Sequence, residues 1–230
     1  MRVVNSCARG QAVADSDLDM VVLLRPGTRV EQTSRLENSW RQEMSSNRTL
    51  LEYGSSSSHA HVHLDLIKGQ YTPLVWDDGG GPDGFELEIG NHLAYSAPMH
   101  ETGEYFLRLQ SEWLPYYPED LRRQRLRMAR EACQYDLDHV AFFVGRELYF
   151  QAFDRLYKSL QEFLQALFIS RGVYPLAYNK WIRFQLETLL GLPDLYPELP
   201  PVLAIHNLES HELVEKAQRL AGLLSIVYAE

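Results

Sequence analysis

The feature that most constrains the fold is a pair of aspartates, Asp17 and Asp19, placed at the start of an apolar run over residues 20–24. Alternate residues of a β-strand share one face, so this spacing puts both carboxylates on the same side, about 7 Å apart at Cα. Two hard oxygen ligands held in this way suit Mg²⁺, which takes one or two carboxylates together with phosphate oxygens and water. The pair therefore predicts a strand that begins at a magnesium site, and a surface strand that carries two acids is the alternative.

A second strand supplies a third acid. Residues 61–67 alternate between polar and apolar side chains, which predicts a strand with His61, His63 and Asp65 on its polar face. Phosphoryl chemistry with two metal ions clamps the attacking and the leaving oxygen, and it needs more than two carboxylates. If this strand pairs with the first, Asp65 completes a triad. The alternatives are a zinc site formed by the two histidines and Asp65, and a solvated strand face.

The part of the chain before residue 105 consists of short apolar segments separated by turn residues. The spacing of apolar residues predicts a helix over residues 28–44 and short strands over residues 49–53 and 85–89. A serine-rich stretch over residues 54–58 and an Asp- and Gly-rich stretch over residues 77–84 predict a loop and a turn.

From about residue 105 the apolar residues recur at helical spacing. This spacing predicts four helices, over residues 119–135, 137–170, 178–190 and 209–228. A proline-rich linker over residues 197–201 is predicted between the last two. We therefore expect an α+β fold, in which a small mixed β-sheet domain over residues 1–104 is followed by an α-helical bundle domain over residues 105–230.

The first long helical segment carries a run of arginines. They are Arg122, Arg123, Arg125, Arg127 and Arg130. A run of like charges on a helix is usually a solvated face, so we expect these side chains to be exposed.

Composition excludes some classes of partner. The chain has 230 residues and a formal net charge of −9, with an isoelectric point near 5.4, which argues against nonspecific nucleic-acid binding because that needs a basic surface. Two cysteines offer no disulfide framework, and no apolar run is long enough to span a membrane. We expect a cytoplasmic protein with a polar or cationic small-molecule partner.

Two short motifs carry a family resemblance. They are Ser6-x-Ala8-Arg9-Gly10 and Ser16-Asp17-Leu18-Asp19. Together they resemble the signature of the polymerase-β-like nucleotidyltransferases, in particular the small bacterial type that includes aminoglycoside and lincosamide nucleotidyltransferases. The resemblance implies that Ser6 and Arg9 bind the nucleotide. It also implies that Asp17, Asp19 and Asp65 are the catalytic and metal-binding acids.

The chain departs from the family pattern before the first motif. Asn5 stands where the family usually has Gly, and Asn tolerates a left-handed backbone better than most residues. Only four residues precede this turn, so the first strand is short or the natural start lies upstream.

The helical half carries a looser resemblance to the C-terminal domains of antibiotic nucleotidyltransferases. The matching segments are residues 166–168, 172–175 and 179–181. In that family a basic residue after such a loop reaches the triphosphate, which implies this role for Lys180 in the first turn of the helix predicted from residue 178. Lys158 is the second candidate.

These expectations combine into a Mg²⁺-dependent transfer of a nucleoside monophosphate. The donor would be ATP or another nucleoside triphosphate, and the acceptor would be a hydroxyl of a small molecule, with antibiotics among the candidates. A protein adenylyltransferase and an antitoxin-like interaction protein are the alternatives.

Overall fold

The computed structural model describes residues 1–55, 60–74 and 82–228. The chain divides into two compact units, Met1–Thr72 with Glu88–Leu114 and Pro73–Leu87 with Pro115–Glu230. Both units are discontinuous in sequence, whereas the sequence predicted a single boundary between residues 104 and 105. The expectation of a small mixed sheet together with many helices is confirmed.

The first unit contains a four-stranded sheet in the described part of the chain. Its strands are β1 (Arg2–Val3), β2 (Leu18–Leu23), β3 (Val62–Ile67) and β4 (Ala97–Pro98). The spatial order is β3-β2-β1-β4, in which β2 and β3 are parallel and β1 is antiparallel to both of its neighbours. The predicted pairing of the two acid-bearing strands is therefore confirmed.

The connection between β2 and β3 contains two helices, α2 (Val30–Ser46) and α3 (Arg48–Gly54). Parallel neighbours need a long crossover, and these helices supply it. The helix predicted over residues 28–44 is confirmed as α2, shifted by two residues. Helix α1 (Asn5–Ala8) precedes β2, and α5 (Tyr105–Trp113) follows β4.

The strand predicted over residues 49–53 is wrong, because these residues belong to α3. The Asn47 side-chain oxygen accepts hydrogen bonds from the backbone N–H groups of Thr49 and Leu50, at 3.1 and 3.4 Å. This is an N-cap, which satisfies amides that have no partner within the helix. An ion pair one turn apart, between Arg48 and Glu52, lies on the same helix.

The strand predicted over residues 85–89 is also wrong. These residues form α4 (Phe85–Ile89), which continues into a π-helical turn at Gly90–Ala94. Phe85, Ile89 and Leu93 are buried and spaced by four residues, as on one face of a helix. The alternating pattern assumed an exposed Glu86, but Glu86 is fully buried.

Helices make up the described part of the second unit after residue 115. They are α6 (Glu119–Val144), α7 (Tyr149–Arg171), α8 (Ile182–Phe184), α9 (Pro200–Leu203), α10 (Glu212–Leu223) and α11 (Ser225–Tyr228), with a π-helical turn at Gln185–Leu189 and a 3₁₀ turn at Tyr196–Glu198. The α6–α7 hairpin and α10 surround a core of fully buried side chains such as Leu156, Phe163 and Leu213.

Two predictions for the helical part are corrected. The helical pattern over residues 137–170 is interrupted by a tight turn, in which Glu147 has a left-handed backbone with φ of 59°. Residues 197–201 are not a linker, because Leu199 and Val202 are buried in the core. Gly172 ends α7 in the left-handed conformation, which is common for a glycine after the last residue of a helix.

The arginine run on α6 is not uniformly solvated, which corrects a further prediction. The Arg125 side chain is 2% exposed and pairs with two acids of the same unit, Asp83 and Glu86. Its Nε lies 2.5 Å from Glu86 Oε1. These acids precede Arg125 by about forty residues, so the partner of this charge is not visible in the local sequence.

Some predicted features lie outside the described residues. Most of the serine loop and most of the Asp- and Gly-rich turn fall on residues 56–59 and 75–81. Within the residues that the structure describes, no helix is both long and apolar enough to cross a membrane.

Candidate functional site

The turn before β2 is built around Asn5. This residue has φ of +58°, so the expected left-handed backbone is confirmed. Its side-chain Nδ2 donates a hydrogen bond to Asp19 Oδ2 at 2.8 Å. A glycine at this position would adopt the same backbone but would lack the contact with Asp19.

The Asp17 carboxylate also accepts one hydrogen bond. Its Oδ1 accepts the backbone N–H of His61 at 2.9 Å, and the Asp17 carbonyl accepts the Cys7 thiol at 3.3 Å. Asp17 and Asp19 are half-buried. Each keeps one carboxylate oxygen that accepts no hydrogen bond from the described residues, so each can still bind a ligand.

Asp65 lies on the same sheet face as Asp19. The parallel register places Asp19 opposite His63 and Val21 opposite Asp65. Asp65 is therefore the diagonal neighbour of Asp19, about 8 Å away at Cα from the usual strand spacing and rise. Its side chain is exposed.

The donor chemistry at this face fits Mg²⁺, but a complete protein ligand set is not assembled. Among the described residues, no three His, Cys, Asp or Glu side chains lie close enough to hold a metal ion. A site shared by Asp17, Asp19 and Asp65 stays a prediction, and the alternative zinc site is not assembled either. The pair Asp17 and Asp19 matches the way Mg²⁺ is bound through one or two carboxylates, with phosphate and water completing its shell.

Arg9 and Ser6 lie in the same turn. The Ser6 carbonyl accepts the N–H groups of Arg9 and Gln11, at 3.3 and 3.0 Å, which closes the turn. Arg9 Nε donates to Gln11 Oε1, while its Nη1 is buried with no hydrogen-bond partner in the described part of the chain. Burial lowers the pKa of Arg9. A buried donor without a partner is costly, and an anionic ligand would satisfy it.

Sequence reasoning missed His92, which lies in the π-helical turn Gly90–Ala94. Burial lowers the pKa of His92, and the charge of Asp65 opposes this shift, so the two residues lie within electrostatic reach. The buried His92 Nδ1 has no hydrogen-bond partner among the residues described. The available signal was Phe85, Ile89 and Leu93 at helical spacing, but only residues 85–89 were interpreted as an element, and as a strand.

The two lysines assigned to the nucleotide lie in the second unit. Lys180 is exposed and precedes α8, so its predicted position in the first turn of a helix is corrected. Its carbonyl accepts the Gln185 side-chain amide at 2.9 Å. Lys158 Nζ lies 3.0 Å from Asp154, which makes it an ion-pair partner on its own helix. A nucleotide contact by either lysine stays a prediction.

Comparison with known proteins adds no relative. No protein-family model, no curated protein and no solved structure matches this chain.

Proposed function

We propose that the protein is a Mg²⁺-dependent nucleotidyltransferase that moves a nucleoside monophosphate, AMP from ATP in the first instance, to a hydroxyl of a small molecule. The observation that supports this most is the register of β2 and β3. It places Asp19 and Asp65 on one sheet face, and Asp17 immediately precedes β2. The left-handed turn at Asn5 contacts this face through Asp19.

The acids have distinct roles in this proposal. Asp17 and Asp19 would hold Mg²⁺, oriented by the His61 backbone N–H and the Asn5 amide. When bound, Mg²⁺ neutralises charge on the triphosphate and polarises the phosphoryl group. Asp65 would hold a second metal ion or take a proton from the acceptor.

The transfer itself is a displacement at the α-phosphorus. The acceptor oxygen forms a bond to this phosphorus, the bond to the β-phosphate oxygen breaks, and pyrophosphate leaves. The hydroxyl proton passes to Asp65 in the version where this residue is the base. Ser6 and Arg9 lie in the turn next to Asp19, and the unmatched Arg9 nitrogen suits a phosphate oxygen. In this proposal, catalysis comes mainly from positioning the two substrates and from neutralising the charge on the phosphates.

The acidity of the protein supports a small acceptor. A net charge of −9 gives no basic field for a nucleic acid and favours a neutral or cationic molecule.

An assay with α-labelled ATP and the other three nucleoside triphosphates tests the proposal. The reaction contains Mg²⁺ and either a panel of hydroxylated cationic small molecules, including aminoglycosides and lincosamides, or a cell extract. We expect label in a small molecule, and complete loss of transfer in Asp17→Asn and Asp19→Asn. Asp15→Asn removes a nearby exposed acid and should retain full activity.

Other outcomes of the same assay discriminate among the alternatives. If the label is found only in protein, the acceptor is a protein and not a small molecule. Absence of transfer to every small molecule and to the extract would contradict nucleotidyl transfer and leave the antitoxin-like alternative.

A further inference from the structure

The first unit contains an open cavity that none of the roles above uses. Its volume is about 800 Å³. The residues that line it and enter the following argument are Arg25, Thr102, Glu104, Tyr105, Arg108 and Ser111. A neighbouring cavity of about 340 Å³ shares Arg25, Thr102 and Tyr105 with it, so the two form one extended depression.

This cavity lies at the carboxyl ends of the two parallel strands. Arg25 follows the last residue of β2 by two positions, and Tyr105 donates its hydroxyl to the carbonyl of Lys68, the first residue after β3, at 2.7 Å. Ligands of open α/β sheets bind beyond this end of the strands. Asp17 and Asp19 lie at the opposite end of β2, which is about 20 Å long. The cavity is therefore separate from Asp17 and Asp19.

The cavity carries a net positive charge, whereas the whole protein is negatively charged. Arg25 and Arg108 line the cavity, and neither forms an ion pair within the described ranges of the chain. Glu104 precedes Arg108 by one helical turn, yet the Arg108 guanidinium lies over the Tyr105 ring, 4.9 Å from its centroid. Two unpaired cations on one concave surface repel each other and attract an anion.

The backbone near the two arginines is hydrogen-bonded and closely packed. The Arg25 carbonyl accepts the hydroxyl and the N–H of Thr28, at 2.7 and 3.1 Å, which closes the turn after β2. Behind Tyr105 the packing is tight, since a Cβ on Gly69 would lie 2.5 Å from a Leu109 methyl group. Such contacts restrict the backbone and so reduce the ordering that binding requires.

We propose that this cavity binds a small anion that carries phosphate or carboxylate groups. Arginine recognises both groups through two parallel hydrogen bonds, because its guanidinium group is a planar fork of donors. The hydroxyls of Thr102 and Ser111 are additional donors at the cavity wall. The volume accommodates a ligand larger than a single phosphate.

Titration calorimetry at constant ionic strength with inorganic phosphate, pyrophosphate and citrate tests this site. We expect saturable binding of at least one of the three anions to the full chain. Arg25→Ala and Arg108→Ala should each weaken binding at least tenfold. Glu104→Gln, which removes an opposing charge from the cavity wall, should strengthen binding several-fold.

Two control variants distinguish binding in this cavity from a net-charge effect and from binding at the turn near Asp19. Arg35→Ala removes an exposed arginine of α2 in the same unit and should change affinity less than twofold, and Arg9→Ala in that turn should leave the Arg25-dependent binding in place. Equal losses in Arg35→Ala and Arg25→Ala would mean a net-charge effect and overturn the proposal. It would also be overturned if all three anions failed to bind, or if binding depended on Arg9 and not on Arg25.

Discussion

The two units of this protein treat acidic side chains in opposite ways. In the sheet unit, Asp19 and Asp65 lie on one face of the sheet, where Asp19 is half-buried and Asp65 is exposed. In the helical unit, Glu86, Asp136 and Glu162 are at most 1% exposed. The difference indicates two uses of charge, because accessible carboxylates can bind ligands while buried ones must be neutralised within the fold.

The buried acids show how the helical unit meets this requirement. Glu86 accepts hydrogen bonds from Arg125, from the Tyr117 hydroxyl at 2.9 Å and from the Gln165 amide at 3.2 Å. Burial alone would lower the pKa of Arg125, but its hydrogen bonds to Glu86 and Asp83 raise it. Such a network is costly to break from one side, because a buried charge is then left unpaired.

The largest effect on stability is expected from Arg125→Met. This change leaves Glu86 buried without its cation, so the free energy of unfolding should fall by about 3–5 kcal/mol. Urea denaturation measures it. Arg123→Ala, which removes an exposed arginine of the same helix paired with Asp120, should cost less than about 1 kcal/mol. Similar losses in the two variants would contradict the structural role of the buried network.

Glu162 should make stability depend on pH. Burial, together with the nearby charge of Asp136, raises the pKa of Glu162 to about 8 from an ordinary 4.5. The folded protein therefore retains a proton that the unfolded chain loses, and the stabilisation disappears as pH rises from about 4.5 through about 8. Between these values the slope is about 1.4 kcal/mol per pH unit.

The pH dependence is measured as urea denaturation at several pH values in wild type and Glu162→Gln. The variant should lose most of the slope, while Glu131→Gln, at an exposed position of α6, should keep it. An unchanged slope in Glu162→Gln would show that other groups cause the dependence.

A smaller effect is expected at Asn5, where the backbone is left-handed. Asn5→Ala should lower the free energy of unfolding by about 1–2 kcal/mol, because alanine lacks the polar side chain that makes this conformation tolerable for asparagine and the hydrogen bond to Asp19 is lost. Asn5→Gly loses the same hydrogen bond but tolerates the backbone, so thermal denaturation should place it between wild type and the alanine variant. Equal stability of the two variants would argue against the strained turn.

The smallest stability change is expected on the open face of the sheet. Asp65 is exposed, so Asp65→Asn should alter the free energy of unfolding by no more than about 0.5 kcal/mol. The matched change Glu86→Gln in the buried network should cost several times more. Comparable urea midpoints for the two variants would remove the distinction between the units.

The sequence predicts those parts of the fold whose pattern of residues is local. The acid-bearing strands β2 and β3 and the helix α2 follow from apolar periodicity, and the left-handed Asn5 follows from its residue type. Segments of five to seven residues were misassigned, as at α3 and α4, because periods of 2 and 3.6 cannot be distinguished over so short a run.

The remaining features depend on residues distant in sequence. Burial of Glu86 requires Arg125, and the environment of His92 requires Asp65 on a strand 27 residues earlier. For the candidate site, the sequence predicted three acids and a turn, while the spacing among their side chains depends on how the strands pack.

The most direct test of the central claim is Mn²⁺ binding to the sheet face, measured by electron paramagnetic resonance with a non-hydrolysable ATP analogue present. Mn²⁺ takes the place of Mg²⁺ and reports binding whether or not the acceptor is known. We predict that Asp17→Asn and Asp19→Asn each weaken Mn²⁺ binding at least tenfold, and that Asp15→Asn leaves it unchanged. Binding as tight in the Asp17 and Asp19 variants as in wild type would contradict the claim.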